Sequence, residues 1–291
     1  MAAPAVGFAA KFAIGTADPV DQPLEFLSES LRKTGTVLDT GGIRGTRSHD
    51  AARTRNGTYT VAGTVTLNPS PLELDDLLPW ILGTNEAADV FALADLLQSR
   101  FIQFDRVTKV FKYAGVYVNR ATFRASEGGF VELSLDLIGQ TETVAAAGSF
   151  PSLTLNTDPP YVFHDLAFTI GGTTYQSKEI EIVVDNRVVS RFLNSQTATG
   201  VFAIDREVSV RFTLPYSTDE VALYDTGATG AIVNATFTNG GVSCLFSMVN
   251  VQFPAEAPIV ESKDEIVLAL NGIARKSGAT LELVVTSDST A

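Results

Sequence analysis

At 291 residues with 45% hydrophobic content, the chain is long enough to bury one or two sizeable cores. A formal net charge of −12 excludes a surface that grips a nucleic-acid backbone through Lys and Arg, and the single cysteine, Cys244, excludes an intrachain disulfide. The apolar stretch Met1–Gly15 has no basic flank and is too short to span a bilayer, so an unprocessed, cytoplasmically made chain with no membrane partner is expected.

Residues 1–24, rich in Ala, Gly and Pro, read as an N-terminal arm without its own core, and Phe26–Arg32 as the first strand. Gly41–Gly57 lacks apolar periodicity and carries Arg44, Arg47, Arg53 and Arg55, which predicts a long exposed loop at a hairpin tip. From Thr58 the chain alternates: Tyr59, Val61, Val65 and Leu67 share one face, and Thr58, Thr60, Thr64 and Thr66 the other. Ser70 with Glu73 forms a capping box ahead of Leu74, Leu77, Leu78 and Ile81, predicting a helix that Pro79 interrupts and Gly83 ends. A second helix is placed in Asn85–Ser99. Phe101–Ala125 reads as a long hairpin, and Phe130–Ile138 as a strand with Val131, Leu133, Leu135 and Leu137 inward and Glu132 and Asp136 outward.

The same order then returns. Asn186–Arg191 follows Ile43–Arg47, Val208–Leu214 follows Tyr59–Leu67, Ser217–Gly230 follows the helix, and strands end at Gly272 as they did at Gly139. Matched landmarks lie 147 residues apart for Leu67 and Leu214, 147 for Gly83 and Gly230, and 133 for Gly139 and Gly272. The expected fold is all-β with a few short helices, built as two duplicated β-barrel or β-sandwich units: an arm over 1–24, a first β-domain over 25–144, a linker over 145–160 and a second β-domain over 161–291. In the second unit Glu179 and Glu181 oppose Ile180 and Ile182, and Glu207 opposes Val208, so both units present a wet sheet face that carries carboxylates.

No catalytic constellation emerges. Asp39-Thr40-Gly41 and Asp225-Thr226-Gly227 are the triplets of an aspartic-protease-like pair, yet the internal offsets carry Asp39 to about Ile182–Asn186 and Asp225 to about Leu78, so the two carboxylates do not occupy equivalent places. His49 and His164 lack metal-ligand spacing, and Gly41–Gly45 lacks the Lys-Ser/Thr ending of a phosphate loop; no metal or cofactor is expected. Glu73, Asp75 and Asp76 read as the acidic first turn of a helix, Trp80 as core, and Cys244 as a buried structural thiol.

The order of landmarks resembles the major tail tube protein of long-tailed, siphovirus-type bacteriophages. The residues that carry the resemblance are Val6-Gly7-Phe8, Lys11, Ile14-Gly15-Thr16, Ile43–Arg47, Gly63-Thr64-Val65, Leu77-Leu78, Ile81-Leu82-Gly83, Gly115–Asn119, Leu135–Gly139, Phe168–Gly172, Phe253-Pro254, Pro258 and Ile266–Leu270. The resemblance implies a non-enzymatic virion protein whose rings stack into a tail tube for genome delivery. It also implies a ring with six β-domain positions, which a duplicated chain fills as a trimer. The implied partners are further copies of the chain, tape-measure and terminator or distal tail proteins, and viral DNA that passes without sequence-specific binding; assembly would take place in the host cytoplasm. On this reading Arg44, Arg47, Arg53 and Arg55 contact the neighbouring ring, with Met1–Gly15 and Ser277–Ala291 as further axial contacts, while Glu132, Asp136, Glu179, Glu181 and Glu207 line the lumen. The rival readings are a β-sandwich binding module of a tail fibre or baseplate, and the tube of a contractile tail or secretion system.

Overall fold

The computed structural model describes residues 5–84, 87–218, 220–221, 223, 230–254, 257–260 and 263–289. The first half contains β1 (Lys11–Gly15), β2 (Gln22–Leu24), β3 (Ser28–Glu29), β4 (Arg32–Leu38), β5 (Arg55–Leu67), α1 (Pro71–Leu82), β6 (Val90–Ala92), β7 (Arg100–Asp105), β8 (Lys109–Ser126), β9 (Glu132–Gly139) and β10 (Thr141–Ala146). The second half contains β11 (Leu166–Ile170), β12 (Thr173–Tyr175), β13 (Glu179–Asp185), β14 (Val188–Arg191), β15 (Gly200–Ala203), β16 (Glu207–Pro215), β17 (Ala231–Asn239), β18 (Val242–Val251), β19 (Val267–Ile273) and β20 (Leu283–Asp288). The fold is all-β, with one α-helix and three single-turn 3-10 segments among the described residues.

One twelve-stranded sheet runs through both halves, and a six-stranded sheet, β12-β11-β17-β18-β20-β6, forms a second layer. The junction is β8, whose 18 residues serve two sets of neighbours. Its first part pairs with β7 and β10, and its last part, Arg120–Ser126, lies between β9 and β13. Antiparallel order then continues through β13, β16 and β19. A single core cluster reaches from Phe12 to Val285, so the halves share one apolar interior. The reason is β8, which carries the ladder across the midpoint and lets α1 pack on β6, β8, β18 and β20 at once.

The pairings of the first half recur in the second. The contacts β1·β2, β1·β7, β7·β8, β8·β10, β4·β5 and β5·β9 have counterparts in β11·β12, β11·β17, β17·β18, β18·β20, β13·β16 and β16·β19. Local irregularities recur too. A bulge sits between Arg100 and Ile102 opposite Val116 and Tyr113, and another between Ala231 and Val233 opposite Val251 and Met248, with Gly115 (φ 62) and Asn250 (φ 48) in the left-handed region at the matching positions. Leu67 faces Leu133 as Leu214 faces Leu268, a shift of 147 residues on one strand and 135 on the other, and Val116 and Val251 also differ by 135. Gly139, which pairs with Val61, therefore answers to Ala274, whose N–H bonds the carbonyl of Val208, and not to Gly272. Gly272 is small for its own reason: a Cβ there would collide with the Phe253 ring and Val251.

Helix α1 follows its local signals closely. Ser70 N–H donates to Glu73 Oε2 at 2.8 Å, Glu73 N–H returns to Ser70 Oγ at 3.4 Å, and Gly83 closes the C-terminus at φ 96. Four expectations fail. The arm is core from β1 onward, with Phe12 and Ile14 at most 1% exposed, because a short strand buried on both faces has no alternation to announce it. The first strand is thus β1, and Phe26–Arg32 holds β3 and the start of β4 on either side of the buried Leu31. Within Asn85–Ser99, Asn85 lies outside the described residues, and Val90–Ala92 is a strand that completes the second sheet by pairing with β20. The linker starts later than expected, since Thr141–Ala146 is β10. Most of Ser217–Gly230 lies outside the described residues; Ser217 N–H bonds the Glu220 carboxylate at 2.8 Å, as at a capped turn.

The acidic turn of α1 is less solvated than its sequence suggests. Burial, reinforced by Asp75, Asp21 and Glu73 and opposed by Arg100, pushes the Asp76 carboxyl up to about 6. Gln22 Nε2 donates to Asp76 Oδ1 at 2.6 Å. A carboxyl whose folded-state pKa is raised favours folding most below its unfolded pKa, and that contribution is lost as pH rises through about 6. Asp76→Asn keeps the acceptor for Gln22 and removes the buried charge. It is expected to raise stability by about 1–2 kcal/mol at pH 8 and by almost nothing at pH 4. Thermal melts at the two pH values check this, and a lower Tm for the variant at pH 8 would refute it.

Candidate assembly surfaces

The predicted lumenal carboxylates converge on one face. Successive register partners from β9 to β19 form one row of Glu132, Arg124, Glu181, Arg211 and Asn271, and another from β5 to β16 of Thr64, Asp136, Arg120, Asp185 and Glu207. Between them runs an uncharged row, Thr66, Ser134, Thr122, Val183, Ser209 and Ile273. Glu179 lies one step beyond, between Ser126 and Thr213. The alternate residues, such as Leu133, Leu135, Val208 and Phe212, are buried in the core.

The face is a charge lattice more than a bare acidic wall. Arg124 pairs with Glu179 at 2.5 Å, Arg187 with Glu207 at 3.1 Å, and Thr64 Oγ1 donates to Asp136 Oδ1 at 2.7 Å. On these strands Glu132, Asp136, Glu179, Glu181, Asp185 and Glu207 stand against Arg120, Arg124 and Arg211, so carboxylates outnumber guanidiniums two to one. The face stays acidic, with half its charge neutralised locally. Those arginines lie in strands whose acidic partners are distant in sequence, and only the register reveals them.

The two ends of this sheet differ in sign. At one end β4 and β5 extend as an arm, every residue of β4 being exposed, and the loop 39–54 closes its tip. Arg44 is held by Asp50 at 3.0 Å, and Arg53 Nε reaches Thr40 Oγ1 at 3.4 Å, while Arg47 and Arg55 make no ion pair among the described residues. Four arginines against Asp39 and Asp50 leave residues 39–55 with a formal charge of +2. At the opposite end, where β9, β13 and β19 begin, Glu127, Glu132, Glu179, Asp264 and Glu265 outnumber Arg124, Lys178 and Lys263, for −2.

The arm is propped by the hairpin β14–β15. Tyr59 N–H bonds the carbonyl of Gln196 at 3.0 Å, Tyr59 Oη meets Thr197 Oγ1 at 2.9 Å, and Gln196 Nε2 donates to the carbonyl of Asn56 at 2.9 Å. The same hairpin closes a satellite cluster in which Val188, Ala198 and Val201 cover Tyr117 and Ile138. It thereby overlies β8 and β9 at the arm end of the polar face. Sequence reasoning also missed an apolar patch at the N-terminus. Phe8 is 92% exposed and borders a groove of roughly 720 Å³ lined by Phe12, Phe26, Phe150 and Leu155.

Asp39 sits in the exposed tip, 2.6 Å from His49, and Asp225 lies outside the described residues. Burial drives the Cys244 thiol well above its ordinary range, as suits an inert core group. The segment Ser277–Ala291 was expected as a free axial tail, yet Leu283–Asp288 is β20, paired on both sides, with Leu283 and Val285 fully buried. Residues 5–10 are mostly exposed. The exposed aromatics Phe8, Phe130 and Phe202 lie in separate segments of the chain. No helix among the described residues is long and apolar enough to cross a membrane.

The family model described as phage tail tube protein matches residues 4–274, from before β1 to the end of β19. The chain belongs to the phage tail tube protein family. The tail tube match runs in one piece through the first strand set and through the second as far as β19, leaving out β20, and so covers the whole of the continuous sheet. Membership makes the chain a structural component of the virion tail that builds its tube by self-assembly alongside other tail components. No curated protein matches it at a significant level.

Proposed function

We propose that this tail tube protein is a duplicated subunit. Three copies close a ring of six β positions, and rings stack head-to-tail into a hollow conduit for the genome of a siphovirus-type phage, threaded by a tape-measure protein, ended by terminator and distal tail proteins, and assembled in the host cytoplasm. The observation that carries this reading is the tandem order of the large sheet: β4-β5-β9 and β13-β16-β19 succeed one another with the end of β8 between them, and β4 and β19 remain as edges. Such edges invite pairing with another chain. Opposite charges on the two ends of the strands favour head-to-tail stacking, the only contact that propagates a filament without closing.

The proposed lumen wall is the polar face with Glu132, Asp136, Glu179, Glu181 and Glu207. A trimeric ring carries three times −12, or −36. Phosphates are repelled only within a Debye length of the wall, roughly 8 Å at physiological salt, so DNA is kept from sticking without being pushed along. Electron microscopy of purified protein should show rings or hollow tubes; a population of compact monomers at every concentration would overturn the proposal. Arg44 is held by Asp50, which supports Arg47 and Arg55 as the chief axial contacts. The double change Arg47→Glu and Arg55→Glu is therefore expected to leave rings but shorten or abolish tubes. Tubes of normal length would remove the basic tip from the axial interface.

A further inference from the structure

The internal junction between the two halves also describes the junction between copies. Resting on the ring reading above, we infer that residues 252–254 and 257–260 form the lateral docking strand of the tube, and that the strands β3 and β4 of a second copy add to it in the register that β13 keeps on β8.

The equivalences are given by the pairings. From Val116 to Leu133 in the first half, and Val251 to Leu268 in the second, the shift is a constant 135, so residues 252–260 answer to Tyr117–Ala125 of β8. On the other side, Ser28 opposes Thr66 as Glu179 opposes Thr213, a shift of 151, so β3 and β4 answer to β13. The backbone agrees: Leu27 N–H bonds Thr66 O as Lys178 N–H bonds Thr213 O. In the first half the end of β8 is a strand with β9 on one side and β13 on the other. In the second half β18 stops at Val251, and residues 257–260 have no strand partner among the described residues.

Burial points the same way. Val188, at the base of β14, is 4% exposed over Tyr117 and Ile138, whereas its counterpart Val37 is 70% exposed. Ala125 is 1% exposed between β9 and β13, whereas its counterpart Val260 is 68% exposed. Two apolar side chains thus lie bare on opposite edges of one chain, at positions whose internal equivalents are buried, Ala125 beside β13 and Val188 between its own hairpin and the Tyr117–Ile138 pair. The counterpart of the Tyr117–Ile138 platform is the bridged pair Gln252 and Ile273, at the β19 edge. Asn119 and Glu127 direct their backbone groups toward the β13 side, so Pro254 and Pro258, which answer to Asn119 and Phe123, remove two donors from the seam. Proline at such places blunts a bare edge against indiscriminate pairing while leaving its carbonyls free.

Transferred to two copies, the register sets Arg32 against Ala257 and Ser30 against Ile259, as Val183 faces Thr122 and Glu181 faces Arg124. Because odd-numbered β8 residues make the ladder bonds to β13, these are close, non-hydrogen-bonded pairs suited to a disulfide. Arg32→Cys combined with Ala257→Cys is expected to convert most of the ring population to covalent trimers on mild oxidation, reversed by reductant, with buried Cys244 not competing. Ser30→Cys with Ile259→Cys supplies a second pair should the first hinder assembly. Lys33→Cys with Ala257→Cys, slipped by one residue onto opposite faces, should give at least tenfold less cross-link. Wild-type rings in electron micrographs together with no cross-link from either matched pair, or an equal one from the slipped pair, would overturn the seam and leave the ring intact. Absence of rings in the wild type would overturn both.

Discussion

Trp80→Ala is expected to lower the unfolding free energy by about 3–5 kcal/mol, through the lost burial of the largest core side chain and the cavity it leaves. Trp80 is 0% exposed on α1, among side chains from both halves, and its Nε1–H donates to the carbonyl of Val116 at 2.9 Å. That carbonyl lies beside the left-handed Gly115, where the β7–β8 ladder is already broken by the bulge. Alanine would leave the carbonyl without this donor in a dry place, adding to the loss of packing. For a chain of this length the fall in Tm is on the order of 10 °C, measurable by calorimetry. Trp80→Phe restores most of the volume and should recover more than half of the loss. A drop in Tm below about 2 °C for the alanine variant would show that α1 does not anchor the two layers.

Val37→Asp and Val188→Asp are expected to have opposite phenotypes although their positions are equivalent in the two halves. Val188 is buried beneath its own hairpin, so a carboxylate there should cost roughly 2–4 kcal/mol of stability. Val37 is exposed in the single chain, so Val37→Asp should leave Tm within about 1 °C of the parent while abolishing or severely reducing ring formation, because the charge would be buried only at the seam. Melting curves and sedimentation of the two variants, side by side, separate folding from assembly. A Val37→Asp protein that still forms rings at the parental concentration would sink the docking of the arm on a neighbour.

Several features were readable from residues alone because their causes are local. Ser70 and Glu73 cap α1 within one turn, and the alternation through Glu132–Gly139 and Glu207–Pro215 assigns each side chain to core or surface without reference to any partner. The carboxylates proposed for the lumen followed from the same period of two. Strands β1 and β6 escaped notice because they are short and owe their strand state to neighbours, β1 lying between β2 and β7, and β6 completing the edge beside β20. The pairing of arginines with the carboxylates was not legible either, since Arg120 meets Asp136, Arg124 lies between Glu132 and Glu181, and Arg211 faces Glu181 only through register.

The all-β class, the helix with its caps, the polar and apolar faces of the long strands, the basic tip and the family are all legible in the order of residues along the chain. Long-range packing set the rest: the halves share one core, β8 joins them, one hairpin folds down on the sheet while its counterpart extends as an arm propped by it, and the register brings particular residues face to face. The division has a physical basis: alternation and capping are set within a few residues, whereas pairing and register are chosen by which apolar faces can be buried together at long range.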